Sequence, residues 1–373
     1  MKRVFALVLS AAVLLSAAAC SKRQETEEPP EETAAASAPT ATPKPTATPK
    51  PSATPEVSPE PTEEAEPAYR NPLSGAGMDE PLSDRPFTVM FDNHVQAVPH
   101  HGVSQADILF EVLAEGGVTR MMGVFSDIRS VEKIGPMRSI RPYFLDIAIS
   151  FGAVIGHAGG SEAAYNRIYN EKLNNVDGVR GSYGFQAFAR DQQRLYSGIA
   201  TEHTLFSTGE NLYKCAEEKD YTLTVPEDYD AGLRFEKDAA IEGGDKVEDI
   251  KIVFNSGKST SLHYDSETGL YTLFEHGGDY VDGNTKEIVE FVNALMIRTK
   301  TSVIDGYGRL SMVTTGSGDG FFTLGGKCVP ITWEREEGKP FHFYDEDGKE
   351  ISLGVGHSYI AVLPTDSGSV TFE

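Results

Sequence analysis

The chain contains 373 residues, of which 39% are hydrophobic and 9% aromatic, and its formal net charge is −23. This length allows two or three domains, and the apolar content is sufficient for hydrophobic cores. The acidity argues against nucleic acid as a partner, because phosphate binding needs a basic patch. It also argues against electrostatic docking on anionic lipid head groups. The three cysteines exclude a disulfide scaffold.

Residues 1–19 have the composition of a signal peptide. A charged start precedes an apolar run over 4–15, and small residues then lead to Cys20. The run is too short to span a membrane. A cysteine directly after small residues resembles a bacterial lipobox, although Ala17 stands where lipoboxes usually carry leucine. We predict a lipid-modified, palmitate-type anchor at Cys20 and a location on the extracytoplasmic face of the cell membrane. The alternative is an ordinary secretory signal with an incidental cysteine.

The segment after Cys20 has a low-complexity composition. Residues 21–67 are almost all Pro, Thr, Ala, Ser and Glu and include no aromatic residue. Such a segment cannot bury enough surface to offset the entropy of ordering. Its proline density favours an extended polyproline II spacer. We predict that 20–83 is a disordered tether and that the folded part begins near Asp84.

Strand and helix patterns alternate over residues 84–225, which predicts an α/β domain. The predicted strands are 87–92, 108–114, 118–126 and 153–160. The predicted helices are 139–152, the segment that follows Ser161, and 209–218. Glu115, Gly116 and Gly117 form a hairpin signal between the second and third strands.

Short strand patterns separated by Gly, Asp and Asn turns dominate residues 230–373 and predict a small, mostly antiparallel β-domain. The expected class is therefore α+β or α/β, with the α/β domain first. The predicted strands are 249–255, 261–265, 270–276, 294–301, 309–316, 328–334 and 358–364. Residues 285–292 suggest a helix, and the glycine-rich 316–320 is expected between strands.

Several polar residues of the first domain follow strand ends or begin helices, which is the edge where α/β sheets usually bind ligands. Glycines allow close approach of a ligand to backbone, and arginines bind carboxylate or phosphate in bidentate fashion. The predicted ligand-binding residues are Asn93, Arg120, Arg138, Arg141, His157, Gly159, Gly160 and Ser161. The alternative is an ordinary glycine turn, with at least one of Arg138 and Arg141 paired to an internal acid.

The same residues allow a hydrolase hypothesis. Ser161 would be the nucleophile, His157 or His203 the base, and Asp92 or Glu115 the group that orients the base. Ser161 is also explained as a helix cap. A second version uses Asp92 and Glu115 as a carboxylate pair for glycoside cleavage. No motif decides whether the chain is an enzyme.

No metal or cofactor is predicted. The chain has no HExxH or paired Cys-x-x-Cys motif and no Walker or Rossmann fingerprint. His94, His100 and His101 are expected in a surface loop. Cys215 and Cys328 are expected to be packed thiols rather than a disulfide.

Long segments of the chain resemble the YerB-like lipoproteins of Gram-positive bacteria, a two-part family of unknown function. The matching segments are RPFTVMFDN at 85–93 with its continuation to 127, 134–148, the HAGGS loop at 157–161, 293–301, 316–335 and 345–364. The resemblance covers roughly 84–373 and implies a lipoprotein with two parts, but no reaction. Family members tend to have Pro-His-Asn where this chain has Glu202, His203 and Thr204.

Three functions remain as hypotheses. The first is binding of an anionic or polyhydroxylated ligand, or of a protein partner, in the cell envelope. The second is hydrolysis of a cell-wall component. The third is a scaffold for other envelope proteins, which would require an exposed apolar patch, expected on the β-domain. In each case the membrane is a partner through the lipid anchor.

Overall fold

The N-terminal region combines short buried strands with four helices. The computed structural model describes residues 66–373 of the chain. Up to residue 225 its strands are β1 (Tyr69–Arg70), β2 (Gly77–Met78), β3 (Phe87–Asp92), β4 (Ile108–Leu113), β5 (Thr119–Phe125), β6 (Val154–His157), β7 (Asn175–Asp177), β8 (Ala189–Arg190) and β9 (Leu205–Phe206). Its helices are α1 (Pro142–Ser150), α2 (Glu162–Asn170), α3 (Gln192–Tyr196) and α4 (Gly209–Glu218). A strand or helix is present at each position predicted over 84–225, although α1 and β6 are shorter than the predicted 139–152 and 153–160.

The C-terminal region is built from strands alone within the described residues. These are β10 (Phe235–Glu236), β11 (Asp245–Lys246), β12 (Asp249–Asn255), β13 (Lys258–Asp265), β14 (Leu270–Glu275), β15 (Gly278–Asp279), β16 (Glu290–Phe291), β17 (Asn293–Thr299), β18 (Thr301–Val303), β19 (Leu310–Met312), β20 (Gly316–Leu324), β21 (Lys327–Arg335), β22 (His342–Tyr344), β23 (Leu353–Gly354), β24 (Ser358–Pro364) and β25 (Ser369–Phe372). All seven strands predicted after residue 230 are present. The described chain is therefore mostly β.

One mixed sheet contains strands of both regions. Its order is β11-β21-β20-β17-β24-β4-β5-β3-β6-β7, and β22 extends it at β21. The two regions meet where β24 pairs in parallel with β4, with Ser358 opposite Ile108. Several C-terminal strands therefore complete the sheet of the N-terminal region.

A second, antiparallel sheet covers one face of the mixed sheet. Its order is β15-β14-β13-β12-β25, with β16 on β14. One core lies between the two sheets and includes Phe91, Ile252 and Leu273, all at 0% exposure. A second core, which includes Met90 and Phe144, lies on the other face, where α1 packs. Successive residues of β3 thus enter opposite cores, since side chains alternate along a strand.

Local sequence signals determine where the helices begin. Pro142 occupies the first turn of α1, where its missing N–H group costs no hydrogen bond. Ser161 caps α2, because its hydroxyl accepts a hydrogen bond from the backbone N–H of Ala164 at 3.2 Å. The predicted cap is confirmed. Cys215 and Cys328 are buried free thiols.

Three sequence expectations are wrong. The folded region begins before Asp84, because β1 and β2 pair and Leu73 is fully buried in the second core. No helix forms over 285–292, where Glu290 and Phe291 instead pair with β14. The glycine-rich 316–320 is the first half of strand β20 rather than a connection between strands.

Candidate functional site

A cleft of about 320 Å³ opens beside the glycine loop that follows β6. We call it the arginine cleft. Its principal lining residues are Arg138, Gly159, Gly160, Tyr165, Arg180 and Arg190. Arg138 precedes α1, the glycines precede α2, and Arg180 follows β7. The sequence predicted a pocket at these strand ends, and three of its residues line the cleft.

Two of the three cleft arginines have no acidic partner. The guanidinium of Arg180 lies over the ring of Tyr165, 3.6 Å from its centroid. Arg190 donates hydrogen bonds to the carbonyl of Thr201 at 2.5 Å and the hydroxyl of Thr204 at 3.4 Å. In the described part of the chain no carboxylate lies within ion-pair distance of either guanidinium. Glu202 also lines the cleft but pairs with Arg138 at 3.3 Å, so Arg180 and Arg190 are the cleft cations left without an ion pair among the described residues.

The glycine loop brings backbone to the cleft wall. Gly159 has φ +76°, in the left-handed region that favours glycine. A Cβ atom at Gly160 would lie 2.8 Å from Cγ2 of Ile140, so any larger residue at this position would displace the Ile140 side chain. The N–H of Gly159 donates to Oδ1 of Asp177 at 2.8 Å. The loop is therefore held by its own partners.

His157 supports this loop from behind. It is fully buried, with Nδ1 2.9 Å from the carbonyl oxygen of Gly159 and Nε2 3.3 Å from Oδ1 of Asn175. No hydrogen bond joins His157 to Ser161 among the described residues. The predicted pairing of these two residues as base and nucleophile is not formed.

The hydrolase hypothesis predicted a histidine base oriented by a carboxylate. Of the pairs that it named, Asp92 and His203 are the one in contact among the described residues. Nδ1 of His203 lies 2.6 Å from Oδ2 of Asp92, and both residues are about 95% buried. The ring of His94 stacks on that of His203, with centroids 4.6 Å apart. Nε of Arg138 lies 3.5 Å from the same Asp92 oxygen, so Arg138 links this pair to the cleft.

Arg120 and Arg141 are both paired internally. Nη2 of Arg120 lies 2.8 Å from Oε1 of Glu115, and Nε of Arg141 donates to Oε2 at 3.0 Å. Burial would raise the pKa of the Glu115 carboxyl, but the hydrogen bond from Arg141 and the charge of Arg120 outweigh it and lower that pKa to about 2. Internal pairing of Arg141 was the alternative given above. The carboxylate pair predicted for glycoside cleavage thus has its two members in different ion pairs. Asp92 contacts Arg138, whereas Glu115 contacts Arg120 and Arg141.

A second polar cluster lies buried between the two sheets and was missed in the sequence. We call it the buried carboxylate cluster, and its members are Asn93, Glu111, Thr119, Lys258, Thr260, Glu275 and Tyr359. The Glu111 carboxylate is fully buried and accepts hydrogen bonds from Thr119 at 2.6 Å and Tyr359 at 2.5 Å. Glu275 forms an ion pair with Lys258. A single signal was available in the sequence: Glu111 is the one charged residue of the apolar run ILFEVLA.

Asn93 belongs to this cluster and not to the cleft. Its Nδ2 lies 2.8 Å from the Thr119 hydroxyl, 2.9 Å from Oε1 of Glu275 and 3.2 Å from Oε1 of Glu111. The residue is 1% exposed. It was predicted to bind ligand together with Arg138, but the fold directs the two side chains to different places.

His100 extends the cluster and corrects a further expectation. It was placed in a surface loop, yet it is fully buried, and its Nδ1 lies 2.7 Å from the hydroxyl of Tyr280. Its Nε2 contacts the carbonyl of Asp92. Burial lowers the pKa of His100 to about 4, so the ring is neutral at neutral pH.

Exposed apolar side chains occur on the β18–β19 hairpin. Val303, Ile304 and Tyr307 are 66%, 58% and 81% exposed. The scaffold hypothesis predicts exposed apolar surface in this region of the chain. Such residues on one hairpin do not by themselves identify a partner.

Comparison with known proteins gives a family and no activity. Two family models match, the N-terminal domain of a protein of unknown function (DUF3048) over residues 73–222 and the corresponding C-terminal domain over 250–360. The chain belongs to this family. The resemblance to YerB-like proteins is therefore confirmed, including its two-part organisation.

A curated relative is YerB of Bacillus subtilis (strain 168), which is named as a candidate lipoprotein. It is 26% identical over 311 residues, which cover 80% of this chain and 88% of the relative. The crystal structure of YerB from Bacillus subtilis matches with a TM-score of 0.70 at 25% identity, covering 81% of this chain and 99% of that one. Among the described residues no helix is long and apolar enough to cross a membrane. Cys20 lies outside those residues.

Proposed function

We propose that this family member is a lipid-anchored extracytoplasmic protein that binds an anionic, polyhydroxylated ligand of the cell envelope in the arginine cleft. The observation that carries the proposal is the pair Arg180 and Arg190, two guanidiniums without carboxylate partners in one cleft. Arg120 and Arg141, in contrast, are occupied by Glu115. Guanidinium groups bind carboxylate and phosphate oxygens in bidentate geometry, so an anion would supply the missing partners.

The tyrosines of α2 support a sugar-like ligand. Tyr165 lines the cleft, and Tyr169 follows four residues later on the same face of the helix. Tyr169 is 83% exposed, so its ring is free to contact a ligand that extends beyond the cleft. An aromatic ring offers an apolar face for the C–H face of a sugar. The hydroxyl of Tyr165 donates to Oδ2 of Asp177 at 2.6 Å, which fixes its ring at the cleft. An anionic oligosaccharide satisfies both the tyrosines and the arginines.

The binding proposal is tested by thermal unfolding of the full chain with inorganic phosphate, a neutral oligosaccharide and an oligosaccharide that carries phosphate or carboxylate groups. A ligand at about a hundred times its Kd stabilises the fold by about 2.7 kcal/mol. We expect the largest rise in Tm with the anionic oligosaccharide. The absence of any rise with the three compounds would contradict the proposal.

The sugar component has its own test. Tyr169→Ala should weaken binding of the anionic oligosaccharide but leave binding of inorganic phosphate unchanged. Tyr196→Ala is the matched control, because Tyr196 is 87% exposed and does not line the cleft. Equal binding by the two variants would show that the ligand contacts the arginines alone.

The anchor is proposed from Cys20, the signal-like segment before it and the lipoprotein name of the relative. Cys20→Ala should remove the lipid adduct seen by mass spectrometry and release the protein from membranes. Unchanged membrane association of the variant would contradict the anchor. It would leave the binding proposal intact, since that rests on the cleft.

A second candidate function is hydrolysis, which is favoured by the Asp92–His203 contact of 2.6 Å. A carboxylate at Nδ1 orients an imidazole so that Nε2 can accept a proton from water. Ser161 is not needed, because water would be the nucleophile. In this case His203→Ala would abolish cleavage of the bound oligosaccharide while binding persists, as measured by product analysis. Binding without cleavage by the wild-type chain would exclude hydrolysis of that ligand.

A further inference from the structure

The buried carboxylate cluster places an amine beside a primary amide. Nζ of Lys258 and Nδ2 of Asn93 each lie 3.2 Å from the same oxygen, Oε1 of Glu111. Both nitrogens also contact Oε1 of Glu275. Asn93 follows β3 and Lys258 begins β13, so the two side chains come from different regions of the chain.

The Lys258 amine is buried and lacks well-formed hydrogen bonds. The Lys258 side chain is 10% exposed, and the side chains of Glu111 and Glu275 are 0% and 1% exposed. Nζ of Lys258 has no hydrogen bond of acceptable geometry, although both carboxylates are within ion-pair distance. Burying charged groups costs free energy, and passing a proton from the ammonium to a carboxylate neutralises both. Both carboxylates are therefore positioned to accept a proton from Nζ of Lys258.

Two hydrogen-bonding groups lie near the carbonyl oxygen of Asn93. The hydroxyl of Tyr280 lies 3.3 Å from Oδ1, and Nε2 of His276 lies 3.3 Å from the same atom. Burial and the charge of Lys258 lower the pKa of His276 to about 4, so its ring is neutral and carries one proton. The Tyr280 hydroxyl donates its proton to Nδ1 of His100 at 2.7 Å, so His276, with its proton on Nε2, is the donor that would stabilise negative charge on Oδ1.

Glu275 is placed to move protons between the two nitrogens. Its carboxylate contacts Nζ of Lys258 and lies 2.9 and 3.1 Å from Nδ2 of Asn93 through its two oxygens. Glu111 instead accepts hydrogen bonds from the hydroxyls of Thr119, Thr260 and Tyr359. Glu275 is therefore the group that can act as general base and then as general acid.

We propose that Lys258 and Asn93 condense to an intramolecular isopeptide bond with release of ammonia. Glu275 takes a proton from the ammonium, and the Nζ lone pair attacks Cγ of Asn93. The oxyanion on Oδ1 is held by His276 until the Cγ–Nδ2 bond breaks. Of the three ammonium protons, one stays on the new amide, one passes through Glu275 to the departing ammonia, and one remains on Glu275.

The bond would join the end of β3 to the start of β13 and so link the mixed sheet covalently to the second sheet. A cross-link between residues far apart in sequence reduces the conformational freedom of the unfolded chain. The reaction needs no oxidant and no group from outside the chain. It is independent of ligand binding in the arginine cleft.

The test is peptide mapping by mass spectrometry of the full wild-type chain, denatured and digested with trypsin. An amide at Nζ removes the positive charge that trypsin requires, so cleavage after Lys258 should fail. The peptides that contain Asn93 and Lys258 should appear as one species, lighter than their sum by one ammonia. Two separate, unmodified peptides would overturn the proposal. A Lys258–Glu275 link, recognised by loss of water, would also overturn it.

Variants distinguish the roles. Lys258→Arg keeps the cation and should abolish the link, whereas Lys251→Arg, at an exposed lysine of β12, should leave it intact. Asn93→Asp should still form the link but lose water instead of ammonia. Glu275→Gln should strongly reduce the linked fraction. Because the wild-type map decides the main question, a variant that fails to fold does not affect the conclusion.

Discussion

The arginine cleft and the buried carboxylate cluster begin at adjacent residues and differ in almost every property. Asp92, the last residue of β3, contacts Arg138 and His203 beside the cleft, whereas Asn93 enters the cluster between the sheets. Successive side chains of an extended chain point in opposite directions. The two adjacent side chains therefore enter different sites. The arginine cleft is open and holds arginines without carboxylate partners, whereas the buried carboxylate cluster is closed and its carboxylates accept hydrogen bonds from their neighbours. Substitutions in the cluster should therefore affect stability, and those in the cleft should affect binding.

The largest expected effect is that of Glu111→Ala. Removing one partner of a buried ionic network costs about 3–5 kcal/mol, because the remaining groups stay buried without it. Lys258 and the Thr119, Thr260 and Tyr359 hydroxyls would all lose an acceptor. Urea unfolding followed by fluorescence measures the change, with Glu242→Ala at an exposed site as control. A loss similar to that of the control would show that the cluster does not support the fold.

Glu115→Gln should have a smaller effect that depends on pH. At pH 7 we expect a loss of about 2 kcal/mol, since hydrogen bonds to charged groups contribute about 1.5–3 kcal/mol. The folded pKa of about 2 lies below the ordinary value of 4.5. The stabilisation by Glu115 is therefore present above pH 4.5 and is lost as the pH falls towards 2.

Unfolding of wild type and Glu115→Gln at several pH values tests this dependence. The difference in unfolding free energy between them should be constant near neutrality and shrink between pH 4.5 and 2. A difference that grows with acidity would contradict the assignment of Arg120 and Arg141 as the partners of Glu115.

The smallest effect is expected for Ser161→Ala. Loss of a helix cap costs about 1 kcal/mol. If Ser161 only caps α2, the variant should keep full ligand binding and any cleavage activity of the wild-type chain. Abolished cleavage at unchanged binding would restore Ser161 as a nucleophile.

Much of the secondary structure was predictable because local signals agree with the fold. The apolar runs of β3, β4 and β5 and Pro142 in α1 each have one favourable local conformation. The segment 285–292 failed because pairing with β14 outweighs its helical pattern.

Strand β20 was missed because its glycines resemble a loop. In the fold they are required by packing: a Cβ atom at Gly318 would lie 2.5 Å from Nε1 of Trp333, and one at Gly320 would lie 2.7 Å from the carbonyl oxygen of Met296. Tertiary neighbours cannot be read from the local pattern.

The candidate site was predictable only in part. The glycine loop and Arg138 were found because strand-to-helix turns are frequent ligand sites. Arg180 and Arg190 carried no signal, since neither belongs to a recognisable motif in the sequence. Their importance depends on which arginines are left without an acid, and that follows from the pairing of Arg120 and Arg141 with Glu115 in three dimensions.

The most direct test of the central claim is calorimetric titration of the anionic oligosaccharide into the wild-type chain and into an Arg180→Ala/Arg190→Ala double variant. We expect the double variant to bind at least about tenfold more weakly, because it loses two charge-assisted contacts. Its Tm without ligand should fall only slightly, because it loses the stacking of Arg180 on Tyr165 and the hydrogen bonds of Arg190 but no ion pair. Equal affinity of the two proteins would contradict the account.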